Sequence, residues 1–223
     1  MTNESQKKAR VACFIDGFNL YHAVDNLRDD AGNAPHYLKW LNLWSLASAF
    51  VPPTTQEVVS VHYFSAYATW LQSAYERHRA YTGALESLGV TLVMGKFKEK
   101  KRSCRHCGTQ WTAHEEKESD VNLAVEFVKQ AFMGAFDRAL LVTADSDLCP
   151  PIRLVSESFP NLDLQVLTPP GGYDLARELR GIAPTVRIRM KHLQQNLLPA
   201  EIELKNGHRI SRPQKYEPPA GHY

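Results

Sequence analysis

The sequence predicts an α/β fold, a Rossmann-like three-layer α/β/α sandwich built on a mainly parallel sheet of about five strands. Three observations predict it: short apolar runs recur along the chain, amphipathic helical patterns lie between them, and the 223 residues are 43% hydrophobic and 22% charged. Alternation of strands with helices favours parallel pairing, because each crossover helix returns the chain to the same end of the sheet and covers one of its faces.

Five segments have the apolar composition of buried strands, and they lie at residues 11–15, 58–64, 90–94, 138–142 and 163–167. Helical patterns occupy residues 70–88 and 120–133, and further helices are predicted after Asp147 and from Gly172 to about Arg180. The helix at 120–133 carries apolar residues on one side, which we expect to face the sheet. These residues are Val121, Ala124, Val125, Val128 and Phe132.

Two stretches interrupt the alternation. Residues 25–55 are predicted to be a helix-containing insertion, and residues 96–118 a long polar loop of the kind that is usually functional or disordered. We expect Trp40, Trp44 and Trp70 to be packing residues.

The α/β domain itself is predicted to occupy residues 11–190, including the long polar loop at 96–118. It follows a disordered N-terminus at 1–10 and precedes a C-terminal extension at 191–223, whose Pro-rich polar end is expected to be partly flexible.

The composition narrows the class of protein. The net charge is only +2, so the whole chain is not a polycation, and no apolar run approaches the length of a membrane span. The N-terminal stretch lacks the apolar segment of a signal peptide. The four cysteines, at 13, 104, 107 and 149, do not have the spacing of a disulfide framework. The sequence therefore indicates a reducing, cytoplasmic setting without a membrane partner.

Acidic residues are predicted to meet at one edge of the sheet. Asp16 follows the first strand, Asp120 opens the helix after the third, and Asp145 and Asp147 follow the fourth. Because parallel strands end at the same edge, these carboxylates are expected to converge there, and Asp174 could join them. Clustered carboxylates either take up a proton or bind a cation. Mg²⁺ or Mn²⁺ and a phosphate-containing substrate suit such a site.

Each acid also has a purely structural interpretation. Asp120 could complement the helix dipole, Asp147 could cap a helix, and Asp145 could be a turn residue.

Three blocks of the sequence carry a family resemblance. "FIDGFNL" (14–20), "EEKESDVNLAVEFV" (115–128) and "LLVTADSDLCPPIRLV" (140–155) resemble the signature blocks of NYN domains, in the LabA-like branch of the PIN-like nuclease superfamily. The resemblance covers residues 11–188. It implies a Rossmann-like sandwich whose acidic site cleaves RNA, with a divalent metal activating the water that attacks the phosphodiester.

The resemblance also assigns roles to individual residues. It implies that Mg²⁺ or Mn²⁺ is held by the four aspartates, Asp16, Asp120, Asp145 and Asp147, with Asp145 the more direct ligand of the last pair. Asn19 would complete the catalytic set by orienting Asp16, a water or a phosphate. Lys117 and Thr143 match the lysine and hydroxyl positions assigned to the substrate, and Thr143 would also support the acids. His22 and His114 could assist or be bystanders.

The loop at 96–118 contains "CRHCG", in which Cys104 and Cys107 have the spacing of one zinc knuckle. Structural zinc takes four ligands, so the other two would come from His106 or His114, from a remote residue, or from a second subunit in a homodimer. Two free thiols are the alternative.

The same loop is basic and is expected to overhang the acidic site and guide RNA, although a solvated charge run is the alternative. Its cations, Lys96, Lys98, Lys100, Lys101, Arg102 and Arg105, have Phe97 among them and Trp111 after them. A second basic group, Arg187, Arg189, Lys191 and His192, could extend the track.

Three hypotheses follow, in this order. The first is a metal-dependent ribonuclease, and the second is a non-catalytic RNA-binding regulatory module with the same fold. The third is a small-molecule phosphohydrolase, which is disfavoured because the chain has no G-x-x-x-x-G-K-[ST] or G-x-G-x-x-G motif.

Overall fold

A computed structural model describes residues 7–29 and 32–219. Over these residues the strands are β1 (Ala9–Asp16), β2 (Gln56–Ser65), β3 (Thr91–Met94), β4 (Lys96–Ser103), β5 (Gln110–Lys117), β6 (Arg138–Val142), β7 (Asp163–Thr168), β8 (Thr185–Arg187), β9 (Glu201–Glu203) and β10 (Arg209–Ser211). The α-helices are α1 (Gly17–Asp25), α2 (Leu43–Ser48), α3 (Gln72–Ser87), α4 (Ser119–Phe132), α5 (Cys149–Ser158), α6 (Arg177–Arg180) and α7 (Met190–Gln194).

The central sheet has six parallel strands in the order β3-β2-β1-β6-β7-β8. The predicted α/β/α fold class is confirmed, and the five predicted strands are all present. The sixth strand, β8, is only three residues long and was not predicted. The chain builds the sheet outward from β1 to β3 and then returns to build β6 to β8 on the other side. The strand order therefore reverses between β1 and β6, and ligands of such sheets bind at this switch point.

Alternate side chains of β1 point into two separate cores. Cys13 and Ile15 belong to the core under α1, α2 and α3. Ala12 and Phe14 belong to the core under α4 and α5, where the Phe14 ring meets Phe127 edge-on at 5.4 Å. Both faces of β1 are fully covered, which explains why its sequence is continuously apolar rather than alternating.

The buried face of α4 differs from the predicted one. Leu123, Phe127 and Ala131 face the sheet, whereas Val121, Val125 and Phe132 are exposed. The prediction was right for Ala124 and Val128, which are partly buried against this core, and wrong for the three exposed residues. Apolar residues surround most of this helix, so its sequence alone does not identify the side that packs. The buried residues are spaced four apart and form one stripe along the helix.

The predicted polar loop at 96–118 is a two-stranded antiparallel hairpin, β4–β5, whose pairing runs from Lys96 opposite Lys117 to Ser103 opposite Gln110. The loop prediction was wrong because both strands are mostly polar and exposed, so they lack the apolar signal of a strand. Likewise, only Arg177–Arg180 of the helix predicted from Gly172 is helical.

The segments outside the sheet also pack on the domain. The insertion contains α2, as predicted, and buries Trp40, whose Nε1 donates to Pro199 O at 2.8 Å. In the C-terminal extension, which was expected to be partly flexible, residues up to 219 include most of α7 and the β9–β10 hairpin, with Ile202 and Tyr216 buried against the domain. Residues 220–223 of the extension lie outside the described residues. Most of the predicted disordered N-terminus, residues 1–6, lies outside the described residues, and Ala9 and Arg10 belong to β1.

In the described part of the chain no helix combines the length and the apolar character needed to cross a membrane.

Gly17 is required by the tight junction of β1 with α1. A Cβ at this position would lie 2.5 Å from Phe64 O and 2.7 Å from the Tyr63 ring. We expect Gly17→Ala to lower the free energy of unfolding by about 1–3 kcal/mol, the usual cost of overpacking. The matched control is Gly83→Ala in α3, where the nearest atom is the flexible end of Ile210 at 3.2 Å. Chemical denaturation of both variants measures the difference, and equal stabilities would contradict this account of Gly17.

Candidate active site

A cavity of about 860 Å³ opens at the carboxyl edge of the sheet, beside the switch point between β1 and β6. Four acidic residues line it: Asp16, Glu116, Asp120 and Asp145. They come from three distant parts of the chain, and the fold brings them to one cleft because β1, α4 and the turn after β6 all meet at this edge.

Asp16 is the last residue of β1 and also the N-cap of α1. Its Oδ1 accepts a hydrogen bond from the backbone N–H of Asn19 at 2.9 Å, and its Oδ2 accepts from Thr143 Oγ1 at 3.1 Å. The side chain is almost completely buried, with 4% of the residue exposed. Both oxygens are therefore oriented by the protein, and the carboxylate is held at the floor of the cleft.

The side chains of Asn19 and Thr143 join the two strands across the switch point. Asn19 Oδ1 accepts from the backbone N–H of Ala144 at 3.0 Å, and Thr143 Oγ1 accepts from the N–H of Asp145 at 3.0 Å. Thr143 is fully buried, so it supports Asp16 and the turn and does not contact substrate in this arrangement. The hydrogen bond to the Asn19 side chain likewise connects the turn after β6 to α1.

Asp145 and Asp147 occupy different environments. Asp145 lines the cleft, and its Oδ1 accepts from the N–H of Asp147 at 2.9 Å, so it is the cap of the short 3-10 turn that precedes α5. The capping role that the sequence suggested for Asp147 belongs to Asp145. Asp147 is exposed and is not among the cleft-lining residues.

Asp120 enters from the first turn of α4, and it has an acidic neighbour that the sequence analysis missed. Glu116 lines the same cleft, and its Oε1 accepts from the N–H of Ser119 at 2.9 Å, beside the start of the helix. The sequence signal that could have identified Glu116 was the two-residue alternation of side chains along β5, which places Glu116 on the same face as His114. That alternation was not visible while residues 96–118 were treated as a loop.

Two carboxyl groups of this cluster, Asp16 and Asp120, resist ionisation. Burial, opposed by the hydrogen bond from Asn19 and reinforced by the charges of Asp120 and Asp145, raises the pKa of Asp16 to about 6. Burial, with the charges of Asp145, Glu116 and Asp147, also raises the pKa of Asp120. A cation in the cleft would relieve both effects.

Within residues 7–29 and 32–219, no three His, Cys, Asp or Glu side chains come close enough to form a preformed metal cage. The cleft instead presents separated oxygen donors. Carboxylate oxygens are the type of ligand that Mg²⁺ takes in proteins, with waters completing its coordination.

The hairpin presents two different faces. Phe97, His114 and Glu116 point into the cleft, and Trp70 stacks on His114 with ring centroids 3.7 Å apart. Trp70 therefore packs on the hairpin and remains 38% exposed, instead of entering the core. Because side chains alternate along a strand, the outer face carries the intervening residues. These are Lys96, Lys98, Lys100, Arg102, Trp111, Glu115 and Lys117.

Much of the hairpin's positive charge is already paired. Glu115 forms ion pairs with Lys100, Arg102 and Lys117, and its hydrogen bond from Arg102 lowers its pKa to about 2. Lys96 pairs with Glu118. In the described chain the remaining cations of the hairpin, Lys98, Lys101 and Arg105, have no carboxylate within 4.0 Å. Only Lys101 of these lies on the cleft face of a strand.

Other predicted site residues lie elsewhere. Asp174 pairs with Arg187 at 3.5 Å and does not join the acids. Arg189 and His192 close the first turn of α7 through a 3.1 Å hydrogen bond, away from the cleft-lining set. Exposed His22 does line the cleft. Cys104 and Cys107 lie at the hairpin tip.

The fold and the site together define a doubly wound α/β domain with an acidic cleft at its switch point. The NYN domain family matches residues 10–159, about two thirds of the chain. The chain therefore belongs to the NYN domain family, whose members are generally nuclease-like.

Two individual proteins are also similar to this chain. It is 26% identical over 199 residues to 6-hydroxy-3-succinoylpyridine 3-monooxygenase HspA of Pseudomonas putida, an alignment that covers 73% of this chain and 60% of the relative. The crystal structure of a protein of unknown function from Vibrio parahaemolyticus matches with a TM-score of 0.53 and 18% identity. That match covers 89% of this chain and all of the other, and it shows the fold alone.

Proposed function

We propose that this chain is a metal-dependent ribonuclease of the LabA-like branch, acting on single-stranded RNA in a reducing cytoplasm. The observation that supports it most directly is the convergence of Asp16, Asp120 and Asp145 in one cleft, where the pKa values of Asp16 and Asp120 are raised, an effect that a bound cation would relieve. Oxygen donors and a cleft at the switch point suit a metal with a phosphate substrate.

The residues that would hold Mg²⁺ or Mn²⁺ are Asp16, Asp120 and Asp145, with Asp147 acting through water. The metal, when bound, would supply activation of water and stabilisation of negative charge on the phosphate. The chain supplies the orientation: Thr143 and the Asn19 N–H hold the two oxygens of Asp16.

The aromatic cleft wall supports an unpaired nucleic acid as substrate. Phe18 lies in the first turn of α1 next to Asp16, and its ring meets Phe97 edge-on at 5.7 Å. Unpaired bases stack on such side chains, whereas the bases of a duplex are already stacked. A base beside the scissile phosphate can therefore occupy the cleft next to the acids.

We expect Phe18→Ala to weaken single-stranded RNA binding by about 10-fold or more, because stacking contributes about 1–3 kcal/mol per base. The control is Trp111→Ala, which removes an exposed aromatic from the outer face of the hairpin. Both are measured by fluorescence anisotropy in an Asp120→Asn background, so that RNA is not cut. If only Trp111→Ala weakens binding, RNA lies on the outer face with Lys98 and Lys100, and the cleft-wall proposal is wrong.

The activity is tested by incubating RNA and DNA of one sequence with the protein in Mg²⁺, Mn²⁺ or EDTA. RNA cleavage that needs the divalent metal supports the proposal. RNA binding in EDTA with no turnover in either metal would instead favour the non-catalytic regulatory module, with the hairpin cations Lys98, Lys101 and Arg105 as its binding groups.

A second candidate is a reaction on a small aromatic heterocycle, of the kind described by the name of the Pseudomonas putida relative. The size of the cleft and its aromatic lining favour this candidate, and Arg77 lines the cleft as a cation that could pair with a carboxylate. Calorimetric titration with 6-hydroxy-3-succinoylpyridine tests it directly. Binding by this compound, with no RNA cleavage in either metal, would select this candidate over the nuclease.

A further inference from the structure

The tip of the β4–β5 hairpin is a closed turn that presents two thiols. The backbone N–H of Cys104 donates to Thr109 O at 2.8 Å, and the N–H of Gly108 donates to Cys104 O at 3.0 Å. Gly108 has a φ of +72°, in the left-handed region that favours glycine. The Cys107 thiol hydrogen-bonds to Thr109 Oγ1 at 3.1 Å. The two cysteines therefore belong to one turn of fixed shape, closed between residues 104 and 109.

The turn itself does not explain the cysteines. A hairpin end of this kind needs Gly108 for its backbone, but any small polar residue would serve at 104 and 107. Cys107 is exposed and Cys104 is half-buried, so neither is a core residue, and both are free thiols. Two adjacent thiols at this spacing form half of a tetrahedral zinc site.

We propose that this tip binds Zn²⁺ together with the same tip of a second copy of the chain, so that Cys104 and Cys107 of each copy complete a four-sulfur site. In the described part of the chain no third His, Cys, Asp or Glu joins the two thiols. Structural zinc takes four ligands, and a two-fold axis through the metal doubles an identical half-site. The tip is open to such a partner, because residues 105–112 are all exposed.

Charge also favours a second copy at this position. Zn²⁺ with four thiolates carries a net charge of −2. Lys101 and Arg105 flank the thiols and have no carboxylate within 4.0 Å among the described residues. Two tips brought together without metal would repel each other through these cations. With the metal they surround an anionic centre, which stabilises the paired arrangement.

The proposal links the dimer to the cleft. The same two strands that end at the thiols carry Phe97, His114 and Glu116 into the cleft at their other end. A fixed tip therefore restrains one wall of the cleft, although zinc binding does not depend on the ribonuclease proposal.

The test measures metal content and mass of the full chain purified under reducing conditions without added chelator. Mass spectrometry of the metal is expected to give one Zn²⁺ per two chains. Light scattering is expected to give a dimer of about 50 kDa, twice the 25.2 kDa chain. Removing zinc with a strong chelator should yield monomers, and returning Zn²⁺ should restore dimers. Replacement by Co²⁺ should give the visible spectrum of a tetrahedral four-thiolate site.

Cys104→Ser and Cys107→Ser should each lower zinc content by about 10-fold or more and abolish the dimer, because a site with two missing sulfurs binds zinc weakly. His106→Ala, in the same turn, should change neither quantity. Asp120→Asn should also keep both, which separates this site from the acidic cleft. Circular dichroism checks folding. A zinc-free protein, a Cys104–Cys107 disulfide, or one Zn²⁺ bound per monomer would each overturn the proposal.

Discussion

Asp120→Asn and Asp145→Asn are each expected to lower the rate of RNA cleavage by about 10²–10³-fold, the usual effect of removing one preorganised electrostatic group from an active site. Asparagine keeps the size of the side chain but removes the negative charge that the metal would neutralise. Both residues line the acidic cleft, and neither belongs to the hydrophobic core. Rates are measured with labelled single-stranded RNA in Mn²⁺ and in Mg²⁺.

The control for these variants is Asp163→Asn. Asp163 lies at the first residue of β7, at the opposite edge of the sheet, where it pairs with Arg138 at 3.1 Å. Asp163 itself is exposed and does not line the cleft, so this change should leave cleavage unchanged. Circular dichroism confirms that all three proteins are folded. Full cleavage activity in folded Asp120→Asn and Asp145→Asn would contradict the ribonuclease proposal.

Asp16→Asn is expected to abolish cleavage and, at neutral pH without metal, to make the protein more stable than wild type. Burial raises the folded pKa of Asp16 to about 6, from an ordinary value of 3.8. Between these two pH values the unfolded chain releases a proton that the folded protein keeps. The free energy of unfolding therefore falls as pH rises from about 4 to about 6, by about 3 kcal/mol in total, and remains low above that range. The amide has no such titration.

Denaturation of both proteins at pH 4 to 8 in EDTA measures this effect. The variant's advantage in free energy of unfolding should be smallest near pH 4, grow up to about pH 6 and stay constant above it. Mg²⁺ should then stabilise wild type at neutral pH and have less effect on the variant. Asp137→Asn provides a control, because the hydrogen bond from Arg10 lowers the pKa of Asp137 to about 2, so its stability difference from wild type should stay constant between pH 4 and 8. If the free energies of unfolding of wild type and Asp16→Asn change in parallel across this pH range, Asp16 does not have the raised pKa assigned to it.

Much of the site could be predicted because its acids follow strands. Asp16 and Asp145 come directly after apolar runs, and parallel strands all end at one edge. Thr143 was expected to hydrogen-bond the acids, and its hydroxyl donates to Asp16. The sequence did not identify the hydrogen-bond partner of Asn19, because that partner, the backbone N–H of Ala144, is 125 residues away.

The β4–β5 hairpin was the main element that the sequence failed to predict, and this error also affected the predicted site residues. Polar strands exposed on both faces have no apolar periodicity, so β4 and β5 resembled a loop. Because the pairing of β4 with β5 was not predicted, the cations at 96–105 were interpreted as a single basic segment. In the fold, Glu115 on the opposite strand pairs with Lys100 and Arg102, and the hairpin divides the segment between two faces.

The sequence by itself determined the order of the five predicted sheet strands, the fold class and the common edge at which the aspartates lie, because these depend on local patterns and on the shared direction of parallel strands. Tertiary structure alone decided that Leu123 and Phe127 are the buried face of α4, that Glu116 joins Asp120, and that the thiols lie at an exposed tip. These outcomes depend on pairing and packing between segments distant in sequence, and the free energy of such contacts is not encoded in any local window.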